Sequence, residues 1–274
     1  MNSLIGWVGG KRLLASTIVE LLPEHTCYVE VFGGAGWVLF RKDPDVSDVE
    51  IYNDVNSRLV ELFRSVKWHP QEIVRELEFL APSREIFDQF KEQPGLTEIQ
   101  RAARFYYVIK LSFGCKGGTP GFNSSSPKRL IMSKVMSDIE RVRERLERGS
   151  IENRDFDYIL DRYDKSSTIF FCDPPYYEAE DCYDAVFTED DHNRLADRLH
   201  NIDGHFLLTY NDHEWVRNAY QEDYCYAVTS DYTISNKGHT TGHQLIITNY
   251  ELTPEQLNAA PKSVALLDQL GNPE

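Results

Sequence analysis

The first 68 residues alternate short β-rich runs with helical apolar patterns. Residues 13–22 carry apolar side chains at helical spacing, and a second helical pattern begins near Ser57. Residues 27–32 and 49–52 are rich in β-forming side chains, and the first of these runs breaks into a glycine turn at residues 33–36. Strands that alternate with helices predict an α/β fold with a largely parallel sheet.

The middle of the chain has a different pattern, from about residue 69 to residue 149. Helical spacing extends over residues 70–80, 84–90 and 97–113, and Ser137 is the predicted cap of a further helix. A stretch rich in glycine, serine and proline separates the last two helices. This third of the chain therefore predicts an inserted, mainly helical subdomain with a long loop.

The α/β rhythm resumes after residue 150. Residues 167–172 form a continuous β-rich run, which is typical of a strand buried on both faces. Thr188 is the predicted cap of a helix, residues 205–210 predict a strand, and residues 212–220 predict a helix. Residues 225–234 and 244–252 predict a hairpin, and the polar last 22 residues a short helix or a loose tail.

These patterns predict a Rossmann-like sheet built from residues 1–68 and 150–252. Residues 69–149 would interrupt it as an insert, and residues 253–274 would form a C-terminal tail. A chain of 274 residues is long enough to bury one core that carries such an insert.

Composition narrows the class of protein. Hydrophobic residues make up 41% of the chain and aromatic residues 12%, as in globular enzymes. No apolar run approaches the roughly 20 residues that span a bilayer, and the first eleven residues lack a signal-peptide pattern. We therefore expect a cytoplasmic protein with no membrane partner. The five cysteines form no CxxC pair, which argues against a disulfide framework and a zinc ribbon.

Charge is segregated along the chain, whose net charge is −15. The segment from Arg101 to Gly149 contains 11 of the 29 basic residues of the chain but only 4 of its 44 acidic residues. One basic segment on an acidic body could hold a polyanion and orient it. An ordinary solvated helix face would explain the same pattern.

The glycine turn is a candidate ligand-binding loop. Gly33, Gly34 and Gly36 follow a strand, which lets the backbone approach a nucleotide-like ligand closely. Asp54 ends the next strand, where an acid that binds ribose hydroxyls stands in doubly wound sheets. Leu39 takes the place of the last glycine of GxGxxG, so an adenosine ligand without a pyrophosphate fits better than a dinucleotide. A purely structural tight turn is the alternative.

The sequence Asp173-Pro174-Pro175-Tyr176 directly follows the buried strand. An adenine N6 amine is a poor nucleophile because its lone pair is delocalised into the ring. The Asp173 carboxylate and the Pro174 carbonyl can accept its two N–H bonds and favour a tetrahedral nitrogen. Two prolines stiffen the loop, and Tyr176 offers a face on which an extruded base can stack. The alternative is a proline-rich turn with a packed tyrosine.

Other chemistries lack their motifs. His239 and His243 are four residues apart, but the neighbouring glycines disfavour a helical zinc site, and we expect no metal. No Pro-Cys dipeptide could supply the nucleophile of cytosine C5 methylation, and no GxSxG elbow is present.

Six segments occur in an order that resembles the Dam-like family of DNA adenine N6-methyltransferases. They are Trp7 to Lys11, Phe32 to Gly36, Asn53 to Asn56, the basic middle region, the pair Asp155-Phe156, and Asp173 to Tyr176. The resemblance extends to about Leu252 and implies a Rossmann-like methyltransferase sheet with an inserted, mainly helical DNA-recognition domain.

The resemblance also implies roles for individual residues. Asp173, Pro174 and Tyr176 would be catalytic. The residues implied for binding S-adenosylmethionine are Trp7, Lys11, Phe32, Gly33, Gly34, Gly36, Asp54, Asp155, Phe156 and Asp173. The Phe32 to Gly36 loop would lie beneath the methionine moiety, and Asp155-Phe156 would flank the adenine.

The candidate DNA contacts are Lys116, Asn123, Lys128 and Arg129. Many members carry an Arg- and Asn-rich hairpin where this chain has residues 114–122, so the target sequence is left open.

We therefore expect a site-specific enzyme that methylates adenine N6 in double-stranded DNA. Its partners would be DNA and, in a restriction-modification setting, a cognate restriction endonuclease. Two alternatives stay open at this point. One is methylation of an RNA adenine or another planar amine, and the other is a DNA-binding protein with a degenerate site.

Overall fold

A computed structural model describes the protein over five stretches of the chain. They are residues 1–122, 130–178, 187–232, 240–262 and 264–267, with the backbone alone described at residues 229–232 and 240–243.

The described strands form one sheet. In chain order they are β1 (Cys27–Glu30), β2 (Val49–Asn53), β3 (Ser150–Glu152), β4 (Thr168–Cys172), β5 (His205–Asn211), β6 (Tyr224–Tyr232), β7 (Thr240–Thr248) and β8 (Val264–Leu266). Their order across the sheet is β3-β2-β1-β4-β5-β7-β6-β8. Pairs among the first five are parallel, β7 runs antiparallel to β5 and β6, and β8 runs antiparallel to β6. The predicted α/β fold with a largely parallel sheet is confirmed.

Helices cover the sheet and make up most of the middle region. In chain order they are α1 (Ala15–Leu21), α2 (Trp37–Arg41), α3 (Ser57–Trp68), α4 (Pro70–Glu78), α5 (Arg84–Glu92), α6 (Glu98–Leu111), α7 (Met132–Leu146), α8 (Phe156–Tyr163), α9 (Glu189–Leu199), α10 (Glu214–Ala219) and α11 (Pro254–Ala259). The predicted cap at Thr188 is confirmed, since its side chain accepts a backbone N–H from the first turn of α9. Thr97 caps α6 in the same way.

One predicted helix boundary is wrong. The sequence placed a cap at Ser137, but α7 begins five residues earlier, at Met132. Its buried positions begin with Val135 and Ile139, so the apolar stripe that faces the core already carries the helix past Ser137. Packing outweighed the local capping signal.

Several elements were not predicted. β3 has three residues and α8 follows a polar turn, so neither shows a long apolar pattern. For the last 22 residues the sequence predicted a short helix or a loose tail, and the described part contains the short helix α11. It also contains the edge strand β8, which was not predicted. The predicted hairpin is present as β6 and β7, while the residues that connect these strands, 233–239, lie outside the described ranges.

The strand order reverses between β1 and β4. The chain moves outward from β1 to β2 and β3, then crosses back to β4 on the other side of β1. In open α/β sheets such a reversal opens a crevice beyond the carboxyl ends of the two strands. The glycine turn after β1 and Asp173 after β4 both stand at this crevice.

The two faces of the sheet bury different clusters, and β4 shows the alternation. Ile169 and Phe171 belong to the cluster that contains the middle helices, whereas Phe170 and Cys172 belong to the cluster under α8, α9 and α10. Because both faces are covered, every residue of β4 is buried, as its continuous apolar run predicted.

The middle helices share a core with the sheet. Ile73 of α4, Phe87 of α5 and Ile139 of α7 belong to the same buried cluster as Tyr52 of β2 and Phe63 of α3. The helices of residues 69–149 therefore pack on one another and on α3, and their apolar core is continuous with the core on this face of the sheet. The division of the chain into domains at these boundaries stays a prediction.

A buried ionic cluster ties α7 to β2. Glu50 Oε1 lies 3.1 Å from Lys42 Nζ, and Glu50 Oε2 lies 2.5 Å from Arg145 Nη1. Arg145 also donates to the carbonyl of Leu39, at 2.7 Å. The three charged side chains are almost fully buried, so the loss of one partner would leave a charge uncompensated in a medium of low polarity.

We expect Arg145→Met to lower the free energy of unfolding by about 3 kcal/mol, because it removes the bidentate partner of a buried carboxylate. Urea-induced unfolding measures the change. The matched control is Arg148→Met, since Arg148 pairs with Asp45 at the surface and is 78% exposed. This control should change stability little. Equal losses in the two variants would contradict the assignment.

Candidate active site

The glycine turn after β1 is shaped by contact with β2. A Cβ atom on Gly33 would lie 2.3 Å from the ring of Tyr52, so no larger residue fits there. The Tyr52 hydroxyl donates to the carbonyl of Gly34 at 2.7 Å. Gly36 adopts a φ of 68° at the start of α2. The turn is thus held flat against the sheet, with its backbone exposed to the crevice.

Asp54 closes the turn from the end of β2. Its Oδ2 accepts the N–H of Gly34 at 2.7 Å, and its Oδ1 accepts the N–H of Asn56 at 2.7 Å. Burial raises the pKa of Asp54 to about 6, against the lowering effect of these two bonds. Each oxygen retains a second lone pair, with which it could accept a hydroxyl of a ligand.

Asp173 is held at the carboxyl end of β4 by two side chains. Lys11 Nζ lies 2.5 Å from its Oδ1, and the Thr209 hydroxyl donates to the same oxygen at 2.7 Å. Burial raises the pKa of Asp173, while the Lys11 charge and the Thr209 bond counteract that rise. Both described contacts are made by Oδ1. Oδ2 is therefore left to accept a hydrogen bond from a substrate.

Lys11 joins the N-terminal segment to this loop. It is 4% exposed, donates to the carbonyl of Gly9 at 2.8 Å, and lies 4.9 Å from the ring centroid of Tyr176. The ammonium therefore contacts a carboxylate, a carbonyl and an aromatic face together. Gly9, two residues before Lys11, adopts a φ of 74°, which glycine allows without steric strain.

A second buried carboxyl group, Glu30, lies near Asp173. Its Oε2 accepts the hydroxyl of Tyr28 at 3.0 Å and the N–H of Leu39 at 2.8 Å. Burial raises the pKa of Glu30 to about 8, and the charge of Asp173 adds to the rise. Glu30 is therefore a neutral acid at pH 7.

These elements enclose a cavity of about 1020 Å³, its open mouth included. The predicted site residues that line it are Trp7, Lys11, Phe32, Gly33, Gly34, Asp54, Lys116 and Asp173. The structure thus brings together residues that are as far as 166 positions apart in the sequence.

The remaining predicted residues lie around the cavity or outside the described ranges. Phe156 is buried behind Phe32, with 5.8 Å between ring centroids, and Asp155 caps α8 and lies 3.2 Å from Arg194. Gly36, Pro174 and Tyr176 adjoin the lining without being part of it. Asn123, Lys128 and Arg129 lie outside the described residues.

Aromatic contacts hold the end of the loop Asp173-Pro174-Pro175-Tyr176, called the DPPY loop below, and the residue that follows it. The ring centroids of Tyr176 and Tyr210 are 6.1 Å apart, and Tyr177 stacks on Trp215 with an interplanar angle of 4°. Asn211 donates to the carbonyl of Tyr177 at 3.1 Å. The loop is thus fixed on both sides of its two prolines.

The His, Cys, Asp and Glu side chains of the described residues form no group of three or more that could hold a metal ion. None of the described helices combines the length and the apolar character that a bilayer-crossing segment needs.

Comparison with known proteins decides the family. Residues 7–236 match the family of D12 class N6 adenine-specific DNA methyltransferases. The chain belongs to this family. The expected family and enzyme class are therefore confirmed, and the substrate in the family's description is DNA.

The methyltransferase is similar to several named relatives. It is 26% identical to the type II methyltransferase M1.LlaDCHI of Lactococcus lactis subsp. cremoris, over 89% of this chain and 94% of that protein. It is 28% identical to the DNA adenine methylase of Serratia marcescens, over 85% and 92% of the two chains. With the DNA adenine methylase of Escherichia coli K12 the identity is 26%, over 87% and 91%.

Several residues that line the cavity were not predicted from the sequence. Trp37, Val55, Leu59 and Cys115 line the cavity, but their apolar side chains gave no signal distinct from packing. Glu30 did offer a signal, because it is the one charged residue in the otherwise apolar run of residues 27–32. A glutamate inside a buried strand, next to a ligand-binding turn, indicates a role in the site.

We expect Glu30→Gln to gain stability relative to the wild type as pH rises. The unfolded chain ionises this group near its ordinary pKa of 4.5, whereas the folded protein holds the proton until about pH 8. Between these values the wild type loses up to about 1.4 kcal/mol per pH unit relative to the variant, and above pH 8 the difference stays constant. Urea-induced unfolding across this range measures the difference. A difference that did not change with pH would show that Glu30 is ionised in the folded protein.

Proposed function

We propose that this methyltransferase acts on adenine N6 through Asp173, Pro174 and Tyr176, at the cavity between β1 and β4. The observation that carries the proposal is the Asp173 carboxylate, which Lys11 and Thr209 hold by a single oxygen beside a cavity that Asp54 also lines. The family activity is site-specific methylation of adenine in DNA.

Asp173 and Pro174 supply two fixed hydrogen-bond acceptors, which can overcome the weak nucleophilicity of the adenine amine. Delocalisation makes the adenine amine planar and weakly nucleophilic. Asp173 Oδ2 would accept one N–H bond and the Pro174 carbonyl the other, which favours a tetrahedral nitrogen with a localised lone pair. Because the two prolines and the aromatic contacts already fix the loop, little entropy is lost when the amine binds.

The cavity fits S-adenosylmethionine as the methyl donor. Asp54 would accept the ribose hydroxyls, and the flat turn of Phe32, Gly33 and Gly34 leaves room for the methionine moiety. When bound there, the cofactor supplies an electrophilic methyl group on a positively charged sulfur. Trp7 and Lys11 would cover it from the N-terminal side, while Gly36, Asp155 and Phe156 would support the turn and the adenine end from outside the cavity.

Double-stranded DNA is the proposed substrate, with the target adenine rotated out of the stack. The helical insert would contact the duplex, and Asn123, Lys128 and Arg129 are the proposed contacts. Tyr176 would stack on the extruded base. The expected cytoplasmic location agrees with such a substrate. A cognate restriction endonuclease is a second proposed partner, supported by the type II name of two relatives.

We expect Asp173→Ala to lower methyl transfer by at least about 100-fold, because the amine loses its charged acceptor. Transfer of labelled methyl groups from S-adenosylmethionine to unmethylated duplex DNA measures the rate. The matched control is Asp161→Ala, since Asp161 is 81% exposed on α8 and should leave the rate unchanged. Full activity of Asp173→Ala would refute the assigned chemistry. Incorporation into RNA, and none into DNA, would refute the proposed substrate.

We expect Thr209→Val to lower kcat by about 10-fold, because Asp173 loses one charge-assisted hydrogen bond. The KM for DNA should change little, since Thr209 positions Asp173 and lies buried beneath it. Steady-state kinetics separate the two quantities. Thr209→Ser keeps the hydroxyl and should retain most of the activity. A larger effect on KM than on kcat would contradict a positioning role.

A further inference from the structure

The loop between α6 and α7 reaches the cofactor cavity. This insert loop, defined here as residues 112–121, is closed by backbone bonds from Phe113 to Thr119 at 2.8 Å and from Gly121 to Leu111 at 2.7 Å. From outside, Lys91 donates to the carbonyl of Gly118 at 2.6 Å. The loop is thus braced at its base and on its flank.

The tip of the insert loop packs tightly on the N-terminal segment. Cys115 adopts a φ of 58°, which is unusual for a residue with a side chain. A Cβ atom on Gly6 would lie 2.8 Å from Cys115 Sγ, so the two backbones are in close approach. Cys115 and Lys116 both line the cofactor cavity. Strained backbone that the surrounding contacts hold in place occurs preferentially at functional sites.

Cys115 also shows at which end of the cavity the loop lies. It lines a neighbouring cavity together with Trp7, Gly10 and Lys11. The insert loop is therefore beside Lys11 and the DPPY loop, where the methionine moiety of the cofactor would lie. Asp54, the proposed partner of the ribose, ends the neighbouring strand β2.

Lys116 differs from the other basic residues of its segment. Its side chain makes no hydrogen bond or ion pair with another described residue, and it is exposed. The other described lysines and arginines between residues 101 and 149 bind acidic side chains or backbone carbonyls: Arg101, Arg104, Lys110, Lys134, Arg141, Arg143, Arg145 and Arg148.

The charges in the cavity leave one anionic group of the cofactor without a dedicated partner. The described lining contains three acids, Glu30, Asp54 and Asp173, and two basic side chains, Lys11 and Lys116. Lys11 is already engaged by Asp173. Carboxyl oxygens can accept hydrogen bonds from the hydroxyls and the ammonium group of the cofactor, and a carboxylate attracts its sulfonium. The carboxylate of the cofactor needs a cation instead.

We propose that Lys116 binds the carboxylate of the cofactor's methionine moiety. This inference rests on the proposed function and deepens it, because it assigns to the cofactor a residue that the sequence suggested for DNA. Through Lys116, a loop of the DNA-recognition insert contacts the cofactor before any DNA is present.

The test measures ligand binding by the full-length protein in the absence of DNA. Calorimetry would compare S-adenosylmethionine with decarboxylated S-adenosylmethionine, which lacks only the carboxylate. We expect Lys116→Met to weaken binding of the first ligand by about 10-fold and to leave binding of the second unchanged. Lys116→Arg should restore part of the loss. The matched control, Lys134→Met, alters a 66% exposed lysine of α7 and should affect neither ligand.

Three outcomes would overturn the inference. Equal weakening of both ligands would mean that Lys116 acts through the folding of the loop, which the thermal unfolding midpoint of each variant would also reveal. Unchanged binding of both ligands, with weaker DNA binding, would make Lys116 a phosphate contact. A wild-type protein that bound neither ligand would refute the proposed function itself.

Discussion

The ion pair between Lys11 and Asp173 is the contact on which the site depends. It joins the N-terminal segment to the carboxyl end of β4, and so closes the cavity between two parts of the chain that the sheet alone does not connect. The pair is largely buried, so its attraction is weakly screened and the loss of either partner would leave an uncompensated charge. Without Lys11, the charged Asp173 carboxylate would be buried beside the neutral Glu30 carboxyl group, with the Thr209 hydroxyl as its remaining described partner.

Much of the fold and the site could be predicted because their signals are local. The strand and glycine turn before Gly36, the acid at Asp54 and the DPPY loop each occupy a few consecutive residues. Chain order then places them at the strand reversal. β3 was missed because three residues show no periodicity, and α8 because its buried apolar positions span little more than one turn. α7 was placed wrongly because a capping motif at Ser137 competed with a core-facing stripe.

The role of the basic segment was harder to predict, because charge counts do not show what each side chain contacts. Arg145 carries a positive charge in the sequence, yet in the structure it is buried against Glu50 and fixes α7 to the sheet. Arg101 forms a similar link from α6 to Glu61 of α3. A segment with a large positive balance therefore contributes much of that charge to internal cohesion, and its exposed potential is smaller than its composition indicates.

The core shared by the middle helices and the sheet affects how target specificity can change. A recognition unit with its own core could be exchanged between relatives as a cassette. Here α4 to α7 share one continuous core with α3 and the sheet, and Arg145 of α7 is bound to Glu50 of β2. Transplanting residues 69–149 into a relative would expose unmatched apolar surface in both parts. Changes in specificity would therefore be confined to the loops between these helices, where substitutions leave the packing intact.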